Sequence, residues 1–156
     1  MKQRLPIDTF KTVVASTPLV SMDFVVFNEE GNILLGYRNN RPAQGYWFVP
    51  GGRICKDENF ENSFRRLTQA ELGEAISIDS ASFIGAYEHH YDDNFSGADF
   101  STHYVVLGYQ FTLDVAIKLL PMEQHSEYRW WTVDELLSSD MVHENTKAYF
   151  KNTSLR

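Results

Sequence analysis

Cysteine is almost missing from this sequence: Cys55 stands alone among 156 residues. An internal disulfide is therefore excluded, a thiolate metal cluster has no second ligand, and nothing local makes a catalytic pair with the lone thiol. Long hydrophobic runs are missing as well. No stretch approaches the roughly 18 to 20 apolar residues that span a bilayer, and the first twenty residues lack the apolar centre of a secretory signal. The expected address is the cytoplasm, with no membrane partner. A positive balance is absent too, since the formal net charge is −7 at pH 7, which argues against non-specific binding to nucleic acid or anionic lipid. Repeats, low-complexity tracts and linkers are not found. Residues 1–156 are accordingly expected to form a single domain.

What is present begins with the apolar pattern. Residues 6–15 can start a helix, with Pro6 tolerated in the first turn and Asp8 near the positive end of the dipole. "LVSMDFVVFN" (19–28) reads as a largely buried strand, and the turn "EEGN" joins it to a second strand, "ILLGYRN" (33–39). The run "YWFV" (46–49) is a third strand, closed by Pro50 and two glycines. A helix from about 58 to 72 ends at Gly73, a natural left-handed cap. "SFIGAYEHHY" (82–91) and "THYVVLGYQFTL" (102–113) are long β-type stretches joined by a polar loop. "EYRWWT" (127–132) makes a sixth strand, Thr132 and Glu135 form a capping box for a short helix, and 142–151 is the last helix. The order predicts a mixed α/β domain with several antiparallel pairs around one principal helix.

That helix carries a contradiction. At 100° per residue, Phe60, Phe64 and Leu67 form its core stripe, and Glu71 projects between Phe60 and Phe64. An unpaired carboxylate there costs several kcal/mol, so Glu71 must reach solvent at the last turn, meet an arginine, or bind a metal. Gly51 and Gly52 let the preceding strand turn sharply into a loop whose carbonyls can face inward, and a hard cation such as Mg²⁺ takes carboxylate and carbonyl oxygens together with substrate phosphates. Six of the 14 basic residues, Arg38, Arg41, Arg53, Lys56, Arg65 and Arg66, fall within thirty positions of one another. They form either an anion-binding set or a solvated, salt-laced face.

The segment Gly52-x5-Glu58-x7-Arg66 … Glu71-x-Gly73 resembles the Nudix box, GX5EX7REUXEEXGU, and the strand order resembles the Nudix α/β/α sandwich with a mixed sheet. The copy is incomplete. Leu67 and Ala70 stand where that pattern has glutamates, and Glu74 takes the final apolar position. "RRLTQAELG", together with "RPAQGYWFVPGGR", "YDDNFSGADFSTHYVVLGY" and "EQHSEYRW", is similar to the branch of the superfamily that hydrolyses GDP-mannose. That resemblance implies water attack at the anomeric carbon of GDP-mannose or GDP-glucose, with inversion, releasing GDP and a free hexose.

The same resemblance implies the site. One Mg²⁺ is held by Glu71, the Gly51 carbonyl and the Gln124 side chain, and His125 is the general base. A histidine suits that task because its ordinary pKa lies near neutrality. On this sequence His125 is expected in a polar loop between strands. Arg38 and Arg53 match arginines that steady the leaving diphosphate, and Tyr104 matches a hydroxyl that hydrogen-bonds it. Asp23, which interrupts an apolar strand, is expected to be buried and partnered; with His89 it matches residues near the sugar and Arg38. Glu58 is expected to support the helix start, and Arg66 to form a structural ion pair. A homodimer is implied, with both subunits shaping the nucleotide site, and an exposed Phe10 would fit such an interface.

Overall fold

In a computed structural model, residues 4–122 and 125–151 are described. The chain opens with helix α1 (Ile7–Ser16), whose carboxyl end at Thr17 leads through Pro18 into strand β1 (Leu19–Phe27). A turn held by the Asn28 side chain, which accepts from the Glu30 and Asn32 amides, returns the chain as β2 (Ile33–Arg38). The short strands β3 (Trp47–Phe48) and β4 (Gly51–Arg53) follow, then helix α2 (Phe60–Leu72). Strands β5 (Ser82–Tyr91), β6 (Thr102–Thr112) and β7 (His125–Trp131) and helices α3 (Val133–Ser138) and α4 (Glu144–Lys151) complete the order. The predicted elements are nearly all present. The exceptions are informative: the two glycines expected in a loop form β4, and β7 begins two residues earlier than expected.

Among the described residues the strands make one mixed sheet in the order β3-β2-β1-β6-β5, with β4 also pairing with β1 and β7 with β2. β1 runs parallel to β6 along its whole length, while every other pairing is antiparallel. On its other side β1 changes partner. Ser21 to Asp23 pair with β4, whereas only Phe27 pairs with β2. The sheet therefore forks, and the fork is where the cavity described below opens.

Alternation along β1 assigns its two faces. Met22, Phe24 and Val26 join Phe64, Leu67, Leu72, Tyr109 and Phe111 in a core under α2. Val25 joins Leu35, Trp131, Leu136, Tyr149 and Phe150 in a second core under α3 and α4. These two apolar layers produce the sandwich, and each fully buried large side chain contributes roughly 1.5–3 kcal/mol of transfer free energy.

Helix α2 is capped at both ends: the Asn59 side chain accepts from the Asn62 amide at 2.8 Å, and Gly73 adopts φ 80°. Its inner face is Ser63, Phe64, Leu67, Thr68, Glu71 and Leu72. Phe60, expected in the core stripe, is 56% exposed. It is the first residue of the helix, just after the cap. The capping box predicted at Thr132 and Glu135 is present. No helix among the described residues is long and apolar enough to cross a membrane.

Candidate active site

Glu71 does not escape to water. It lies in the last turn of α2, 5% exposed, and its Oε1 accepts the Gly51 amide at 3.2 Å. Among the described residues no lysine or arginine pairs with it; the neighbour is His125, whose Nε2 stands 3.6 Å from Oε1. Among the described residues the carboxylate thus has one backbone donor and a histidine beside it. Tyr128 closes the site from below, its hydroxyl 3.5 Å from the Glu71 carbonyl.

His125 lies on β7 rather than in a loop, and it is only 1% exposed. The pairing of β7 with β2 explains the difference. Register opposes His125 to Arg38 across a bulge between Gly36 and Arg38, so the ring folds over Gly36. A Cβ at Gly36 would sit 2.4 Å from His125 Nδ1, so any side chain there would have to push the ring aside. Glycine in a strand interior commonly marks such close approach. Nδ1 itself is buried without a hydrogen-bond partner among the described residues.

A cavity of about 710 Å³ opens at the fork of the sheet. Asp23, Arg38, Gly51, Arg53, His89, Tyr104 and His125 all line it, so seven of the nine predicted site residues meet there. Glu71 reaches them through Gly51 and His125. Gln124, the ninth, lies outside the described residues. Of the six clustered cations, Arg38, Arg41, Arg53 and Arg66 face the cavity. Lys56 pairs with Asp57 and Arg65 with Glu61 on the outer surface.

Asp23 is buried, as its place in an apolar strand predicts. Burial raises its pKa to about 7, opposed by a hydrogen bond from Tyr149 and by the Arg38 charge and assisted by Glu71. Gly51 is opposite Asp23 in the β1–β4 register, and a Cβ on it would come 2.3 Å from the Met22 carbonyl and 2.6 Å from Asp23 Oδ1. His89 is also buried, and loss of solvation lowers its pKa to about 4, with smaller contributions from His143 and His90. It is held neutral. Tyr104 faces Arg38 and Arg53; burial raises its phenol above the usual value and the two arginine charges oppose the rise. Arg38 donates through Nε to the Pro42 carbonyl at 3.2 Å, which ties the β2–β3 loop to the cavity wall.

The box arginine is structural. Arg66 grips Glu58 with two bonds of 2.6 and 2.8 Å and donates to the Arg53 carbonyl at 2.8 Å, while Glu58 accepts the Cys55 amide. This bidentate clamp fixes the segment from Arg53 to Glu58 against α2 and holds the Glu58 carboxyl below its ordinary pKa. Leu67, which stands where the resembled pattern has a glutamate, packs toward Gly52: a Cβ there would lie 2.5 Å from its Cδ2. Phe10 is half-buried against Phe95, ring centroids 4.9 Å apart, with the Arg53 guanidinium 4.9 Å above it, so in this chain it makes an intramolecular contact.

The donors around Glu71 suit a hard divalent cation. A carboxylate with no lysine or arginine partner among the described residues, next to glycine backbone, is a sparsely anionic setting of the kind that Mg²⁺ occupies with phosphates and water. Among the described residues no three His, Cys, Asp or Glu side chains gather into a cage, so such an ion would depend on Glu71, on backbone oxygen and on its substrate. Two residues of the site escaped sequence reasoning. Gly36 carried a signal, a glycine inside a strand. Tyr149, which donates to Asp23 Oδ2, carried none, because a tyrosine on the inner face of a helix reads as core.

Comparison with known proteins agrees with this architecture. The model of the NUDIX domain matches residues 17–152. The low-salt glycan biosynthesis protein Agl8 of Haloferax volcanii is 43% identical over 112 residues, covering 71% of this chain and 69% of that protein. The MutT protein of Methanosarcina mazei Go1 superposes with a TM-score of 0.70 at 20% identity, covering 88% of this chain and 94% of the other. A MutT NUDIX hydrolase from Burkholderia pseudomallei gives 0.65 at 24% identity, over 86% and 96% of the two chains. The NUDIX domain of Shewanella oneidensis NrtR, solved with ADP ribose, gives 0.62 at 20% identity, over 86% of each. With the box helix, the forked mixed sheet and the family match in agreement, this chain belongs to the Nudix hydrolases, enzymes that act on nucleoside diphosphate derivatives and generally use divalent metals such as Mg²⁺.

Proposed function

We propose that this enzyme hydrolyses GDP-mannose, and GDP-glucose, at the anomeric carbon with inversion. The water oxygen bonds to C1, the bond from C1 to the diphosphate oxygen breaks, the water proton passes to His125, and GDP leaves with the electron pair. The hexose departs free. One Mg²⁺ would be held by Glu71, the Gly51 carbonyl and Gln124, and when bound it would neutralise charge on the departing diphosphate.

The observation that carries this reading is the emptied box helix. Only Glu71 presents a carboxylate from the inner face of α2, with Leu67 packed against Gly52 where a second acid belongs in the family pattern. Attack on phosphorus needs extensive neutralisation of the phosphoryl oxygens and an activated water, which sets of acids and paired metals supply. Attack on carbon needs less: a base near the sugar and positive charge on the leaving group. His125 lines the cavity for the first task, and Arg38, Arg53 and Tyr104 line it for the second. Arginine forks suit a diphosphate, and contacts that strengthen as charge develops typically account for several kcal/mol of barrier. Asp23 and His89 are assigned to the sugar end, Asp23 either balancing positive charge on the ring or orienting Arg38. The name of the Agl8 relative, a glycan biosynthesis protein, also favours a sugar nucleotide. The working form is proposed to be a homodimer in the cytoplasm, which sedimentation of the purified protein tests.

Incubation with GDP-mannose and Mg²⁺ in ¹⁸O-labelled water decides the reaction. Label in the hexose is the expected result. Label in phosphate would mean cleavage of the pyrophosphate bond, giving GMP and sugar 1-phosphate, and binding without turnover would mean a nucleotide-sugar sensor.

A further inference from the structure

Asp23 is held from behind by a helix that the box motif does not include. The carboxylate projects from the face of β1 covered by α4, whose inner side chains Thr146, Tyr149 and Phe150 are buried. Tyr149 is 1% exposed, and its hydroxyl donates to Asp23 Oδ2. Room for the ring comes from a neighbouring strand. The parallel register opposes Asp23 to Gly108 on β6, and a Cβ at Gly108 would lie 3.2 Å from Tyr149 Cε1. The ring is wedged further by Tyr87, edge-on at 4.6 Å.

The same helix also steadies the strand that leads to Gly51. Thr146 Oγ1 accepts the Val49 amide at 3.2 Å, and the segment before α4 bonds to β3 through the His143 amide and the Trp47 carbonyl at 3.1 Å. One rigid element therefore sets both the carboxylate and the backbone beside it. Removing the Tyr149 donor leaves the orientation of the Asp23 carboxyl to packing and to the Arg38 charge, and displacements of about 1 Å at a reacting site can lower rates about 10²-fold.

We propose that Tyr149 is a positioning residue: its hydroxyl fixes the rotation of the Asp23 carboxyl, committing Oδ2 to the helix and leaving Oδ1 beside Gly51 at the cavity wall. This inference rests on the reading that Asp23 serves the reacting site. Burial and the adjacent carboxylate keep the phenol proton in place well above its ordinary pKa, so the hydroxyl remains a donor.

The test compares wild type, Tyr149→Phe, Asp23→Asn and the double variant. GDP-mannose turnover with Mg²⁺ is followed together with the ¹³C carboxyl resonance of Asp23 in the ligand-free protein. Phenylalanine keeps the ring, so thermal denaturation checks that packing survives. Tyr149→Phe is expected to lower kcat about 10- to 100-fold with KM changed by less than about threefold, and to add nothing in the Asp23→Asn background. The Asp23 resonance is expected to move. Turnover of Tyr149→Phe within about twofold of wild type, or an undiminished loss on top of Asp23→Asn, overturns the inference, because a merely structural hydroxyl would act independently of the carboxylate. If wild type leaves GDP-mannose intact, the proposed reaction fails, and the resonance alone decides: an unmoved Asp23 signal overturns Tyr149 as its anchor.

Discussion

Replacing Gly36 by alanine adds one methyl group where the His125 ring already lies. The methyl carbon would stand 2.4 Å from Nδ1, 2.5 Å from Cγ and 3.0 Å from Cβ of that residue. Unstrained contacts between such atoms are about 3.5–4.0 Å, so the ring must retreat by about 1 Å. It has little room, with Tyr128 at a centroid distance of 5.2 Å and Glu71 on the far side. Overpacking of this kind costs about 1–3 kcal/mol. If His125 is the base, a displacement of that size lowers turnover on the order of 10²-fold. Gly36 is not among the glycines with positive φ, so alanine brings no backbone strain to confuse the result. Urea unfolding and GDP release are measured for Gly36→Ala in wild-type and His125→Ala backgrounds. With the ring gone, the two shortest approaches disappear and only the 3.0 Å approach to the residue 125 Cβ remains, so the penalty is expected to shrink by about 1–2 kcal/mol, which is the coupling the cycle reads. Equal penalties in both backgrounds, or wild-type turnover of the single variant, would refute the packing argument.

Three further outcomes are expected. His125→Gln lowers turnover by about 10²- to 10⁴-fold with folding retained, and near-normal rates at neutral pH would remove it from the mechanism. On the proposed reading Mg²⁺ with GDP stabilises the wild type, by about 2.7 kcal/mol for a ligand at 100 times its Kd, and Glu71→Gln is expected to abolish that shift; a retained shift would place the ion elsewhere. His89 is held neutral down to about pH 4 against 6.5 in the unfolded chain. Between those values the unfolded chain takes a proton that the fold refuses, so acidification destabilises through this group by up to about 3 kcal/mol. Asp23, raised to about 7, acts in the opposite sense over the same range, binding its proton in the fold first. His89→Asn should therefore gain stability relative to wild type as pH falls from 6.5 to 4 in urea titrations; a pH-independent difference would count against the burial effect.

The parts of the fold that the sequence made legible are those set by local pattern. Strands 82–91 and 102–112 followed from runs of branched and aromatic residues, Gly73 from its place after a periodic stretch, and the capping box from two residues three apart. Glu71 stood out as a carboxylate on an apolar stripe, with escape to solvent still open; the structure decides for burial. Phe60 misled for the same reason: a helical wheel gives the angle of a side chain but not whether the first turn of the helix is covered. His125 was misplaced because flanking polarity marks a loop, whereas pairing with β2 extends the strand to include it. The bulge between Gly36 and Arg38 and the register of β1 on β6 are long-range facts. They decide that Gly36 receives an imidazole and Gly108 a tyrosine ring, and no window of neighbouring residues contains them.

The fork in the sheet explains why a domain of this size tolerates so many buried polar groups in one place. Asp23, Glu71, His89 and His125 are all nearly inaccessible, and each would be better solvated outside. A continuous sheet would seal them from substrate; at the fork, β1 leaves β2 and the short β4 takes its place beside Asp23. The gap admits a ligand while the apolar layers on both faces hold the surrounding strands. Compared with the family pattern, Leu67 and Ala70 remove two carboxylates from this gap, so less negative charge must be compensated there. On the proposed reading a diphosphate brings its own charge into the cavity, and Arg38, Arg53 and one divalent ion are matched to that anion rather than to a cluster of acids. The same argument says what restoring the acids would do. Leu67→Glu would aim a longer, charged side chain at Gly52, where the leucine Cδ2 already occupies the space that a Cβ would need, and so would press on β4 before it could serve a second ion.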